Sequence, residues 1–309
     1  MKLALVCLFA ILLDRWLGEP PRWHPLVGFG RLAEQVEQGL YGPPTLSARS
    51  QRLRGWAALL CLLVPPASGA WLLSEIPQVG VVVDIGLLYL ALGATSLAEH
   101  AGAVAAALRR QNLTLARQRV SYMVSRDTDH LDAGQISIAT VESVLENGCD
   151  AVFGALFWFV AAGAPGVVVY RLSNTLDAMW GYQTEHCRDF GWAAARLDDV
   201  LNWVPARLTA LSYALLGRHC DAWRCWRTQA PTWKSPNAGA VMAAGAGALG
   251  LVLGGAACYH GQCLQRPPLG TGLAPAAADI DRALTLVRHA MWLWLGILWL
   301  WAIIRAMMV

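Results

Sequence analysis

Residues 56–73 read WAALLCLLVPPASGAWLL, and after SEIPQ the chain resumes at 79–98 with VGVVVDIGLLYLALGATSLA. Neither run confines its apolar residues to one stripe. Each is hydrophobic nearly all round, over close to the ~20 residues a helix needs to cross a bilayer. Two such runs with a short connection predict a helical hairpin through a membrane, its first arm bent at Pro65-Pro66. Other apolar runs lie at 3–13, 151–170, 241–258 and 290–304, and only some are long enough to span. Trp56, Trp71, Trp292 and Trp301 stand near run ends, where interfacial anchors sit.

The 309-residue chain is 56% hydrophobic and 15% charged. Soluble domains carry about 25% charged residues, so this chain lacks the polar surface to face water all round. The expected fold is all-α, a polytopic helical integral membrane protein without a sheet of consequence. A single membrane-embedded domain, 1–309, is expected, with four or five spans including those near 3–18, 56–73, 79–98 and 290–306. A Gly/Ala-rich helix is predicted over 238–257.

Arginines orient the chain. Residues 19–55 hold Arg22, Arg31, Arg49, Arg52 and Arg54, whereas the 74–80 connection has Glu75 and no basic residue. Basic segments stay cytoplasmic, which puts 74–80 outside and returns 99–150, with Arg109, Arg110, Arg117, Arg119 and Arg126, to the cytoplasm. Gly163-Ala-Pro165-Gly166 splits the 151–170 run into stretches too short to span. A re-entrant or partly buried hairpin covered by protein is favoured there over a single crossing. The first run is read as retained, because Asp14 interrupts it and no small-residue cleavage site follows. The eight cysteines form no CxxC pair and signal neither a disulfide framework nor a zinc site. His219 beside Cys220 and His260 near Cys263 leave metal binding as an alternative. The net charge of +3 gives no sign of a nucleic-acid partner.

Three polar groups could carry chemistry. In Arg126-Asp127-Thr-Asp-His-Leu-Asp132, Asp132 with Gln135 forms a capping box, which leaves Arg126 and Asp127 without a structural excuse. On the helix that follows, Glu142, Glu146 and Asp150 fall within about 80° of one another. Either this is a solvated acidic face, or Mg²⁺ relieves it. The second group begins with Asn174-Thr-Leu-Asp177, either a substrate-binding block or only a helix start with Asn174 as cap and Asp177 in the first turn. It continues with Arg196-Leu-Asp198-Asp199-Val-Leu-Asn202, a plausible grip on a metal-bound phosphate, and Pro205-Ala-Arg207 closes it. In the third, Ser235-Pro236 predicts a helix N-terminus before Asn237, and an N-terminus attracts anions. Lys234 stands beside it, and the only other lysine is Lys2. No GxxxxGK[ST] loop exists, so an ATP site would not be a P-loop. At the chain's start, Asp14, Gly18-Glu19-Pro20 and His24-Pro25 form a polar exit from the first helix.

Taken in order, these blocks resemble one family. They are Asp14…Gly18-Glu19-Pro20…His24-Pro25, Arg126-Asp127-Thr128, and Val141-Glu142-Ser143 with Glu146-Asn147 and Asp150. Asn174-Thr-Leu-Asp177 with Gly181-Tyr182, then Arg196-Leu-Asp198-Asp199…Asn202…Pro205-Ala-Arg207, follow. Ser235-Pro-Asn237-Ala-Gly239 and Tyr259-His-Gly261 complete the series. The chain is similar, from about residue 12 to 290, to the membrane-bound adenosylcobinamide-phosphate synthase family of cobalamin biosynthesis, the CobD/CbiB proteins. The resemblance implies an inner-membrane amide ligase facing the cytoplasm. Such an enzyme joins adenosylcobyric acid, a corrinoid substrate, to (R)-1-amino-2-propanol phosphate or a related amino alcohol, with ATP and Mg²⁺. Many relatives carry an acidic residue three positions after the SPNxG string, where this chain has Met242, so that role is not carried over.

On this reading Glu142, Glu146, Asp150, Asp198 and Asp199, with Asn202, share metal binding and base duty. Arg126, Arg196, Arg207 and Lys234 hold phosphates and the corrin side chains. His24, Asp127, Asn147, Asn174, Asp177, Ser235 and Asn237 complete the substrate contacts. The three groups are expected to meet in one cytoplasm-facing cavity within the lipid-embedded protein, and Asp199→Asn to nearly abolish amide formation. Oligomerisation into a homo-oligomer is left open. A membrane Mg²⁺-dependent prenyltransferase should show two aspartate-rich motifs and more spans. A transporter should show related halves with polar residues in mid-span.

Overall fold

The computed structural model describes residues 1–20, 24–43, 46–181, 187–259 and 261–308; Arg22, Tyr182 and His260 lie outside them. The helices are α1 (Lys2–Leu17), α2 (Pro25–Leu40), α3 (Ala48–Ser74), α4 (Gly80–Ala91), α5 (Ala94–Arg109), α6 (Leu113–Val120) and α7 (Ala133–Gly148). After a π-helical turn, Cys149–Phe153, come α8 (Gly154–Trp180), α9 (Cys187–Phe190), α10 (Trp192–Leu216), α11 (His219–Gln229), α12 (Pro236–Leu249) and α13 (Ala277–Met307). Four helical segments are long and apolar enough to cross a membrane: Ala48–Ser74, Gly80–Arg109, Ala133–Trp180 and Ala277–Met307. The fold is that of a mostly helical polytopic membrane protein. At 16 residues, α1 is shorter than any of these four.

The chain divides into two compact units, Met1–Gly93 with Gly154–Asn202, and Ala94–Phe153 with Trp203–Val309. In the first, α3 packs against α4 and both against α8. The core there is Leu59, Leu62, Leu63, Leu176, Trp180 and Phe190. The α3 helix runs on through Pro65-Pro66. At Gly163 the backbone leaves helical geometry (φ 65°, ψ −154°), and the chain doubles back on itself. A β-carbon on Gly166 would stand 2.5 Å from the Trp158 carbonyl, and one on Gly154 would overlap the Tyr170 hydroxyl. The two arms of α8 therefore lie side by side, at a separation only glycine permits.

In the second unit α7 packs against α13, and α12 against α11. Nine of the fourteen α12 residues are Ala or Gly, and every residue from Asn237 to Leu249 is buried. A β-carbon at Gly245 would stand 2.7 Å from Leu145 of α7, and one at Gly247 2.7 Å from the Ala222 backbone of α11.

The Gly/Ala-rich helix expected over 238–257 stops at Leu249. Gly250 takes a left-handed cap (φ 69°), and the chain enters an antiparallel hairpin of β1 (Val252–Tyr259) and β2 (Gln262–Gly270). Small apolar residues suit a packed helix and a covered strand equally, so composition could not place that boundary. Cys258 and Cys263 face each other across the hairpin and form a disulfide, which corrects the reading of no disulfide framework.

Candidate active site

The capping box forms as expected. Asp132 accepts from the Gln135 amide at 2.8 Å, and the Gln135 side chain accepts from the Asp132 amide at 2.9 Å. It launches α7 so that Glu142 points inward, its side chain 3% exposed. A carboxylate there must be paired. Arg266 grips both oxygens, at 3.0 and 3.1 Å, Arg126 pairs with Oε2, and the Gly254 amide donates to Oε1 at 2.8 Å. Arg266 also donates to the carbonyls of Gly254 and Gly255, and its guanidinium lies 5.3 Å from the Trp233 ring centre. Gly254 itself is left-handed (φ +90°), and a β-carbon there would strike the Pro267 carbonyl.

Asp127 joins the same hairpin near its tip: its amide donates to the Cys258 carbonyl and its carboxylate accepts from the Gly261 amide, both at 2.8 Å. Asn147 donates back to the Ser143 carbonyl and hydroxyl on its own helix. Glu146 and Asp150 are half-buried. Asp150 falls in the π-helical turn, where a spacing of four no longer repeats one face.

Other members of the second unit gather at the start of α12. Ser235 caps it, its hydroxyl accepting from the Ala238 amide at 3.3 Å, as the Ser-Pro pair predicted. Arg207 pairs with the Asn237 side chain, donates to the Pro236 carbonyl at 3.4 Å and lies 4.7 Å from the Trp203 ring centre. Lys234 is exposed. The α10 helix continues through Pro205 to Leu216.

In the first unit the alternative of a helix start at Asn174 is overturned: Asn174 and Asp177 lie inside α8. The helix is renewed earlier, at Gly163-Ala-Pro165, which frees the Asn174 amide for a tertiary role. It donates to Asp198 Oδ1 at 3.3 Å, Asn202 donates to Oδ2 at 3.0 Å, and Tyr170 donates to Asn202 Oδ1 at 2.8 Å. The carboxylates of Asp177, Asp198 and Asp199 repel one another. Withdrawal from water raises the Asp198 carboxyl above the ordinary aspartate range; the two amides oppose this and Asp199 adds to it. Asp199 turns outward to Arg196 at 3.3 Å, with side chains 39% and 61% exposed.

His24 caps α2, its Nδ1 accepting from the Leu26 amide at 3.2 Å. Burial lowers its pKa; Glu19, 3.9 Å from Nε2, opposes the shift and Arg171 reinforces it.

Within the second unit the sequence-predicted residues gather around Glu142 and around the start of α12, and within the first they gather around Asp198. Among the described residues no three His, Cys, Asp or Glu side chains come close enough to hold a metal by themselves. Asp198 with Asp177 beside it does fit Mg²⁺, which takes one or two carboxylates and fills its shell with water and substrate phosphates. Arg266, Trp233, Gly254 and Tyr170 were not singled out from sequence. Arg266 lies 124 residues from Glu142, so no local spacing could join them.

The CobD/Cbib protein family model matches residues 7–287. A Chromobacterium violaceum protein named cobalamin biosynthesis protein CobD is 60% identical over 296 residues, covering 95% of each chain. Its namesake in Stutzerimonas stutzeri is 59% identical, covering 98% of this chain and all of its own. That of Mycobacterium tuberculosis is 40% identical, covering 91% and 90%. No solved structure matches the chain. With the match running through every block from the first helix to α13, this chain belongs to the CobD/Cbib protein family.

Proposed function

We propose that the protein is an ATP-dependent acid–amine ligase of cobalamin biosynthesis, adenosylcobinamide-phosphate synthase. It joins a carboxyl of adenosylcobyric acid to the amine of (R)-1-amino-2-propanol phosphate or a related amino alcohol. The observation that carries this reading is the match over nearly the whole chain to relatives named for cobalamin biosynthesis.

A carboxylate does not react with an amine until one of its oxygens becomes a leaving group. In the proposed sequence that oxygen attacks the γ-phosphorus of ATP, releasing ADP and giving an acyl phosphate. The amine nitrogen then attacks the acyl carbon, phosphate departs and the nitrogen loses a proton. Phosphoryl transfer depends on positioning and charge stabilisation more than on covalent help. Arg126, Arg207 and Lys234 are the cations to hold phosphates, with Asn237 fixing Arg207. Bound Mg²⁺ would neutralise phosphate charge, and Asp198 with Asp177 would hold it. Proton uptake from the amine falls to a carboxylate that metal does not engage, other than the outward-facing Asp199. Glu142, whose oxygens serve Arg126, Arg266 and Gly254, receives no metal or base role. The reaction is assigned to the cytoplasmic face of the inner membrane, where ATP is available.

The test is ATP turnover by the purified full chain. ADP should form only when both corrinoid acid and amino alcohol phosphate are present, in step with amide product. ATP-independent product, or ADP formation indifferent to the amine, would overturn the proposal.

A further inference from the structure

Arg126, Glu142 and Arg266 form a closely paired triad that carries one surplus positive charge. Arg266 engages Glu142 through both terminal nitrogens and gives its remaining bonds to the carbonyls of Gly254 and Gly255. Four of its five N–H donors are therefore spent on the protein. Arg126 is different. Among the described residues its one hydrogen-bond partner is Glu142 Oε2, an oxygen already paired with Arg266, yet its side chain is only 8% exposed. A guanidinium so far from water, sharing a carboxylate already matched by a second guanidinium, keeps both net charge and open donors.

We infer that Arg266 is a positioning residue: by taking up the charge of Glu142 it leaves Arg126 free to bind a substrate phosphate. The inference deepens the proposed function, on which it rests, by assigning a phosphate-bearing substrate to Arg126 and a reason to Arg266. The fork of a guanidinium suits such an anion, because two parallel N–H bonds meet two phosphate oxygens. Trp233 walls Arg266 on its ring face and the hairpin carbonyls fix its Nε edge, so Arg266 cannot swing away to leave Arg126 paired with Glu142 alone.

The experiment is calorimetric titration of the detergent-solubilised full chain with inorganic pyrophosphate, at fixed low salt. Arg266→Gln should weaken binding by about tenfold or more, since Arg126 is then neutralised by Glu142. Arg266→Lys, which keeps the charge, should stay within about threefold of the parent. The decisive variant is the double substitution Arg266→Gln with Glu142→Gln. It removes both charges, restores the surplus on Arg126 and should regain most of the affinity even if its melting temperature stays low.

A double variant that binds no better than Arg266→Gln would overturn the inference and reduce Arg266 to a structural brace. So would a parent protein with no affinity for pyrophosphate. A parent that binds pyrophosphate and shows the recovery, yet makes no amide, would overturn the proposed reaction and leave this assignment standing.

Discussion

Glu142 and Asp198 are both carboxylates drawn back from water and ringed by donors, but their donors differ in charge. Glu142 meets two guanidiniums and a backbone amide. Asp198 meets two side-chain amides, with Asp177 and Asp199 adding repulsion. A carboxylate answered by full positive charge is an anchor, and its surroundings change little when an ion arrives. One answered only by dipoles keeps its negative charge uncompensated, and so invites a proton or a metal. The family-like motifs present both as acidic residues in polar helices, and only the partners tell them apart.

The largest test of this contrast is Asp198→Asn. Loss of a metal-holding carboxylate should slow amide formation by about 10³-fold or more, with the melting temperature nearly unchanged. Near-normal turnover at saturating ATP and Mg²⁺ would move the metal elsewhere. Glu142→Ala should do the reverse. It leaves two nearly buried guanidiniums without their carboxylate, a loss of about 3–5 kcal/mol that denaturation of the second unit would report. A loss under about 1 kcal/mol would mean that Glu142 anchors nothing.

Acid sharpens the comparison further. His24 caps α2 in its neutral form, and its folded pKa is lowered. Above pH about 6.5 both folded and unfolded chains hold it neutral. As the pH falls below that value the unfolded chain takes up the proton first, so stability declines until the folded pKa is passed. The expected loss is about 1 kcal/mol, the worth of a cap, and His24→Asn should flatten it. Mg²⁺ affinity should fall over the range where Asp198 protonates, which its raised pKa places above that of an ordinary aspartate. The smallest effect belongs to Asp199→Asn, which removes an exposed pair with Arg196 worth about 0.5 kcal/mol. Turnover should change by only a few-fold. A collapse as deep as that of Asp198→Asn would mean the outward-facing aspartate turns inward when substrate binds.

Features set by neighbours in sequence were legible from the chain alone. The long apolar runs became long helices, Asp132 with Gln135 closed its box, and Ser235-Pro236 began α12. Features set by distant partners were not. Asn174 has the chemistry of a cap, but the positive-φ break at Gly163 had already restarted the helix, so its amide serves Asp198 across 24 residues. The hairpin at 252–270 was hidden because Gly-Gly-Ala-Ala continues the composition of α12. Its signals were present in Gly250, in the spacing of Cys258 and Cys263, and in Pro267-Pro268, which forbids a helix. Arg266, lying between that cysteine and those prolines, went unnoticed because the partner that explains it lies on α7.

The small residues of α12 have one more consequence, which concerns stiffness. Alanine and glycine possess no rotamers, so most of this helix can neither repack when a neighbour shifts nor lose side-chain entropy when it is held. Its neighbours on α7 and α11 approach to distances that admit no added methyl group. A wall of that kind transmits displacement instead of absorbing it. Ser235 and Asn237, at its end, are held on a support with almost no torsional give. Their exactness of placement comes with an inability to move aside, so whatever enters beside them must be admitted by the loops, and the amides of α12 should be among the slowest in the protein to exchange with solvent deuterium.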